Sequence, residues 1–178
     1  MSLKSTSTRY GSMAIAIHWA SALAVILTFA AGFVVANVTP PGEQAPILAV
    51  HITLGLIVFA LTVLRIVWWI VADKRPVAAP GQPHWQELTA SVVHGTFYVL
   101  LILMASSGIV TILLSGALPA IFSGGPLPDF SQLIPRVAHG GMSKILLALF
   151  VIHVGAALYH QVIKRDHLLA RMGVGRAK

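Results

Sequence analysis

The sequence contains no cysteine, which removes disulfides, thiolate metal sites, iron–sulfur ligation and covalent attachment of a c-type haem together. Charge is scarce as well. Asp, Glu, Lys and Arg make up 10% of the 178 residues, while 57% are hydrophobic; an average soluble domain carries roughly 25% charged residues. Such a chain belongs in membrane lipid. The five acids, Glu43, Asp73, Glu87, Asp129 and Asp166, all fall at links or at the ends of apolar runs. No carboxylate is therefore available at depth for hydrolytic chemistry, or to offset the charge of a cation as a histidine-based metal transporter requires. Histidine is the remaining strong metal ligand. The formal net charge of +7 arises from Lys and Arg clustered at the ends of apolar runs, which is a pattern of membrane topology and not of nucleic-acid binding.

What is present is four long apolar runs, at about 11–38, 46–71, 88–115 and 136–163, each long enough to cross a hydrocarbon core of about 30 Å. The first is too long for the apolar part of a cleaved signal peptide and ends without a small-x-small site. Paired prolines and a glycine in Thr39–Ala45 break the chain after it. Residues 72–87 (ADKRPVAAPGQPHWQE) read as an extramembrane loop, and 116–135, with four prolines and three glycines, as a second loop able to lie on the membrane surface as a cover. The third run carries His94 near its start and no ionisable residue beyond, so it reads as lipid-facing packing. Lys4, Arg9, Lys74, Arg75, Lys164, Arg165, Arg171, Arg176 and Lys178 fall on one side of the resulting bundle. The positive-inside rule then predicts an all-α, four-helix, up-and-down membrane bundle forming one domain, with both termini cytoplasmic. Arg136 and Lys144 break the rule at the outer end of helix four.

The segment Val137–His160 (VAHGGMSKILLALFVIHVGAALYH) places three histidines on one helix face. His139 and His153 are fourteen residues apart, which is about 21 Å along a helix axis and only about 40° around it; His160 follows two turns later. A histidine within hydrocarbon needs partners for its ring nitrogens and is a functional-site hypothesis by default. By depth, His18 matches His153 in the inner leaflet, and His51 matches His139 in the outer leaflet. Two histidine pairs at two depths, with helix four as the common wall, are what two stacked bis-histidine haems require. Gly55, Gly140, Gly141 and Gly155 leave room for a flat macrocycle or for close helix approach. Arg65, fourteen residues after His51, lies at the inner depth, where it pairs with haem propionates or snorkels to the interface. His94 rivals His18 as an inner ligand. His160 is assigned to proton donation, propionate pairing or quinone contact, since helix four already supplies one ligand per haem. His84 and His167 read as solvated.

The order of these residues, His18–Trp19 after a short basic tail, His51 opening helix two, His94 opening helix three, then His139, His153 and His160 on helix four, resembles the prokaryotic cytochrome b561 family over nearly the whole chain. A related pattern occurs in the cytochrome b subunits of formate dehydrogenases and nickel–iron hydrogenases. The resemblance implies two b-type haems, ligated by His18 with His153 and by His51 with His139, and electron exchange with a quinone pool. In the stand-alone branch it further implies a multi-pass protein of the bacterial inner membrane that oxidises superoxide at the outer face and reduces ubiquinone. Arg136 and Lys144 would then steer the anion or meet outer-haem propionates. The alternative it implies is a membrane-anchor subunit exchanging electrons with a redox protein partner, a dehydrogenase or hydrogenase.

Overall fold

The computed structural model describes residues 2–78 and 81–175. Its four long helices are α1 (Ser12–Asn37), α2 (Gln44–Val67), α3 (His84–Ser115) and α5 (Ile134–Leu158), with a short α4 (Leu118–Ser123) between the last two. Each long segment is apolar enough to cross a membrane, and in lipid a helix is the form in which a single segment satisfies its own backbone polar groups. Among the described residues there is no strand. Two spans extend past their α-helical part as π-helical turns, Trp68–Ala72 after α2 and Tyr159–Lys164 after α5.

The helix ends follow local chemistry. Pro83 stands before α3 in an extended conformation and Pro135 lies in the first turn of α5, where a missing N–H costs nothing. Gly116 ends α3 at φ +65°, a left-handed conformation that favours glycine. Two expectations change here. The link 116–135 is partly helical: α4 packs on α2, burying Ala117 and Ile121. The third span also starts earlier than the apolar pattern suggests, since a helix end in water tolerates His84 and Glu87, whose side chains are 89% and 53% exposed.

Packing is pairwise. Helix α1 runs along α2, α3 along α5, and α2 joins the two pairs through α3, whereas neither α1 nor α2 packs along α5. Four of the buried apolar residues, one from each span, mark the middle of the bundle: Val25, Val58, Leu100 and Leu146 are 3–9% exposed. Val58 lies seven residues from both His51 and Arg65, and Leu146 seven from both His139 and His153. Two helical turns therefore separate this middle level from a polar layer on either side.

The N-terminal segment, the α2–α3 link and the C-terminal segment gather at one end, here the basic end. Ser5 donates its backbone N–H and its Oγ–H to Asp73 at 3.0 and 2.7 Å. Arg171 donates to the Thr8 and Val77 carbonyls at 2.8 and 2.6 Å, and Trp19 Nε1 to the Met172 carbonyl at 3.0 Å. Lys4, Arg9, Lys74, Arg75, Lys164, Arg165 and Arg171 all belong to this end, while Arg176 and Lys178 lie outside the described residues.

Candidate haem-binding site

At the far end, α2 and α5 bring the imidazoles of His51 and His139 to a ring-centroid separation of 6.1 Å. Each ring is held by a helix that packs beside its own. His51 Nδ1 donates to the Thr28 carbonyl of α1 at 3.0 Å, and His139 Nδ1 to the Met104 carbonyl of α3 at 3.0 Å, with Ser107 Oγ 3.1 Å away. A carbonyl can only accept, so both Nδ1 atoms carry the proton and both Nε2 atoms are left with a free lone pair. This is the orientation that makes imidazole a metal ligand. Gly32 and Gly108 complete the fit: a Cβ on Gly32 would stand 2.9 Å from the His51 ring, and one on Gly108 would stand 3.4 Å from His139.

Toward the basic end, His18 of α1 and His153 of α5 stand 6.4 Å apart. Phe97 and His94 of α3 also lie against His153, at 5.4 and 5.6 Å. Arg65 Nη1 donates to His18 Nδ1 at 3.1 Å, so its sequence-expected depth is matched by direct contact with the histidine of that layer. A guanidinium can only donate, so this contact keeps the His18 proton on Nε2. Ligation through Nε2 requires Arg65 to turn away. His94 donates from Nδ1 to the Ala90 carbonyl of its own helix at 2.6 Å.

These residues fit a b-type haem. Two imidazoles on one metal, each with a bond of about 2 Å and a ring centre about 1 Å beyond it, have centroids about 6 Å apart; the two pairs meet that spacing. Both span helices that do not pack together, which leaves a slot between them. Arg65 Nε is buried without a hydrogen-bond partner, a donor that a propionate carboxylate would satisfy. Arg65 lines a small cavity with Tyr10, Trp69, Arg75, His94 and Tyr98.

The remaining expected residues are placed as follows. Arg136 is half-buried, with Nη1 3.0 Å from where a Gly140 Cβ would be. Lys144 is exposed. Among the described residues neither has an ion-pair partner. His160 pairs with Asp166. His84 is solvated, as expected, but His167 is half-buried in a left-handed backbone conformation.

Several features escaped the sequence reading. Gly55, Gly141 and Gly155 have open space where a Cβ would point, so they mark no close helix contact; the glycines against the rings are Gly32 and Gly108. Helix α3 is not lipid-facing packing, since it sets Met104, Ser107 and Gly108 around His139 and Phe97 against His153. Counting two heptads from His94 could have found Gly108. Nothing in the sequence points to the Thr28 or Met104 carbonyl.

The model of the family described as prokaryotic cytochrome b561 matches residues 9–175. Cytochrome b561 homolog 1 of Escherichia coli (strain K12) is 28% identical over 174 residues, covering 92% of this chain and 96% of the relative. Cytochrome b561 homolog 2 of the same organism is 27% identical over 185 residues, covering 97% and 95%. A cytochrome b562 of Cereibacter sphaeroides is 26% identical over 172 residues, covering 92% and 94%. No solved structure matches significantly. With all four spans and both histidine pairs inside the matched region, the chain belongs to the prokaryotic cytochrome b561 family, membrane proteins that transfer electrons through b-type haem.

Proposed function

We propose that this protein is a dihaem cytochrome of the bacterial inner membrane that carries electrons from superoxide at its far, outer face to ubiquinone at its basic, cytoplasmic end. The observation that carries the reading is the pair of histidine pairs on α5, with ring separations of 6.1 and 6.4 Å. His51 with His139 holds the outer haem and His18 with His153 the inner. Each haem, when bound, would supply a one-electron relay, and the residues that would hold the two on α5, His139 and His153, lie about 21 Å apart along its axis. His18 is preferred to His94 because α3 packs directly on α5 and leaves no slot there, whereas α1 and α5 stand apart. Arg65 turns from His18 to the inner propionates.

Two superoxide anions lose one electron each to give dioxygen, and one quinone takes up two electrons and two protons to give quinol. Arg136 and Lys144, cations without an ion-pair partner among the described residues, favour an anionic donor at the outer face. In a second reading the donor is a redox protein. Phe122 and Ile134, 83% and 82% exposed at the far end, offer it an apolar contact.

The test is haem quantitation of the purified protein, followed by a superoxide pulse with ubiquinone-1 present. Two haems per chain, rapidly reduced by superoxide and reoxidised by the quinone, are expected. One haem per chain would overturn the pairing, and reduction only by a co-purifying protein would favour the second reading.

A further inference from the structure

The segment before α1 folds back on itself at the basic end, and neither the histidine layers nor the electron path uses it. The Ser12 and Met13 N–H groups, the first two of α1, donate to the Ser2 and Leu3 carbonyls at 3.0 and 3.4 Å. The Gly11 N–H donates to Ser5 Oγ at 3.1 Å, and a Cβ on Gly11 would collide with the Leu3 carbonyl oxygen, so the return passes where only glycine fits. Inside the fold, the Thr6 N–H donates to the Arg9 carbonyl at 2.9 Å and the Arg9 N–H to Thr6 Oγ1 at 3.1 Å. Three contacts fasten it to the other two segments of this end: Ser5 on Asp73, the Val77 N–H on the Ser7 carbonyl at 3.0 Å, and Arg171 on the Thr8 carbonyl.

The fold forms a cup of about 260 Å³ lined by Ser2, Lys4, Thr6, Thr8, Arg9 and Tyr10, far larger than the roughly 10–15 Å³ that one water needs. Its lining is two cations and four hydroxyl side chains, without an acid. Arg9 Nε is buried with no hydrogen-bond partner, and among the described residues Lys4 and Arg9 have no ion-pair partner. Asp73, which meets the fold through Ser5, spends its oxygens on Ser5, the Lys74 N–H and Trp68 Nε1. A buried donor without an acceptor is costly, and an oxyanion in the cup would satisfy it. The first N–H groups of α1 are taken by Ser2 and Leu3, so the attraction comes from side chains and not from the helix terminus.

We propose that this cup binds a phosphate group, and that the headgroup of an anionic phospholipid supplies it. A guanidinium fork, an ammonium and four hydroxyls offer more donors than the two oxygens of a carboxylate accept, and suit a phosphate better. The position favours a lipid as the source. The cup immediately precedes Ser12, where the first membrane-spanning helix starts, and Leu3, next to Lys4, is 56% exposed. Tyr10 stands edge-on to Trp69 at 6.1 Å, a pair of the residue types that line membrane interfaces. Lys74, Arg75, Lys164, Arg165 and Arg171 add to the positive field of this end, which draws anionic headgroups toward it. Held there, the phosphate ties the N-terminal fold to the bilayer surface.

The experiment places the full haem-loaded chain in nanodiscs of phosphatidylcholine with a minor share of phosphatidylglycerol, and native mass spectrometry counts the lipid retained on release. The unsubstituted chain should keep one phosphatidylglycerol in preference to phosphatidylcholine. R9Q and K4Q should each weaken its retention about five-fold, and R9K should weaken it less than R9Q, since it keeps the charge and loses only the fork. K164Q, at the same end but outside the cup, should leave retention unchanged. Phosphatidylglycerol should raise the melting temperature of the unsubstituted chain and not that of R9Q, while in pure phosphatidylcholine the two melt alike with the same haem spectrum. Equal weakening by K164Q and K4Q means a diffuse positive surface and overturns the cup, as does equal retention of the two lipids. If R9Q melts lower in pure phosphatidylcholine, K4Q decides, and unchanged retention in K4Q overturns the site. Inorganic phosphate added to phosphatidylcholine discs should give no comparable rise in melting temperature. A rise that matches phosphatidylglycerol and vanishes in R9Q would assign the cup to free phosphate and overturn the lipid as its source.

Discussion

The two histidine layers are built by opposite means. In the far layer, two rings meet across a slot, and each is fixed by a backbone carbonyl from another helix, Thr28 for His51 and Met104 for His139. Backbone carbonyls on helices cannot wander, so this pair is set before any haem binds. In the layer nearer the basic end, three imidazoles and a guanidinium share one region, and His18 is held by the side chain of Arg65. Both far-layer rings are fixed by the main chain of a neighbouring helix, whereas His18 is held by a side chain and His94 only by its own helix. The layer nearer the basic end therefore has to rearrange on loading, and its ligand choice is the more easily disturbed.

The largest effect that can test this contrast is loss of a whole haem. His51→Ala and His139→Ala should each lower haem content from two to one per chain, and His153→Ala should do the same for the other layer, read by haem quantitation and a reduced-minus-oxidised spectrum. His18→Ala should also remove one haem and His94→Ala none. The reverse result would give the inner iron to His94 and His153.

A smaller effect should separate the glycines. Gly32→Ala puts a Cβ 2.9 Å from the His51 ring, tighter than a side chain tolerates without shifting, and should reduce occupancy of the outer haem or displace its spectrum. Gly55→Ala, where a Cβ meets nothing within 4 Å, should leave both haems in place and gain roughly 0.5–1 kcal/mol of helix stability. Equal behaviour of the two would mean that the His51 ring is not where the structure puts it.

The smallest effect concerns the cap at the basic end. Burial alone would raise the Asp73 carboxyl slightly, but hydrogen bonds from Ser5, the Lys74 N–H and Trp68 Nε1 outweigh it and hold the group below the usual carboxylate range. A carboxyl whose folded pKa is depressed contributes stability above its unfolded value and loses it as pH falls through the folded value. Asp73→Asn should therefore lower thermal stability slightly at neutral pH, and the difference from the unsubstituted protein should shrink as the pH is lowered through the carboxylate range. The haem spectrum should not change. A spectral change in the outer haem would break the independence of the two ends.

Much of the candidate site was legible because membrane helices are regular. A constant rise per residue converts the fourteen-residue interval from His139 to His153, and from His51 to Arg65, into matched depths. Prolines and glycines mark the links, and basic residues gather the right segments at one end. What escaped depends on how helices turn toward each other. Periodicity gives a face but not the neighbour it meets, so α3 read as lipid-facing packing and Gly55 as a possible site of close helix approach. A main-chain carbonyl carries no sequence signature, and the left-handed turns at Arg165 and His167 occur at residue types that normally avoid them.

The sequence by itself determined that this chain has four runs able to span a membrane, that histidine is the strong metal-ligand type available to it, and that His18 with His153 and His51 with His139 fall at two depths, because composition and helical rise are properties of the chain alone. Tertiary structure decided the rest. Packing of α1 on α2 and of α3 on α5, with α1 and α5 held apart, opens the slots across which the rings face. The same packing selects which carbonyl fixes each Nδ1, and therefore which nitrogen is left to bind a metal.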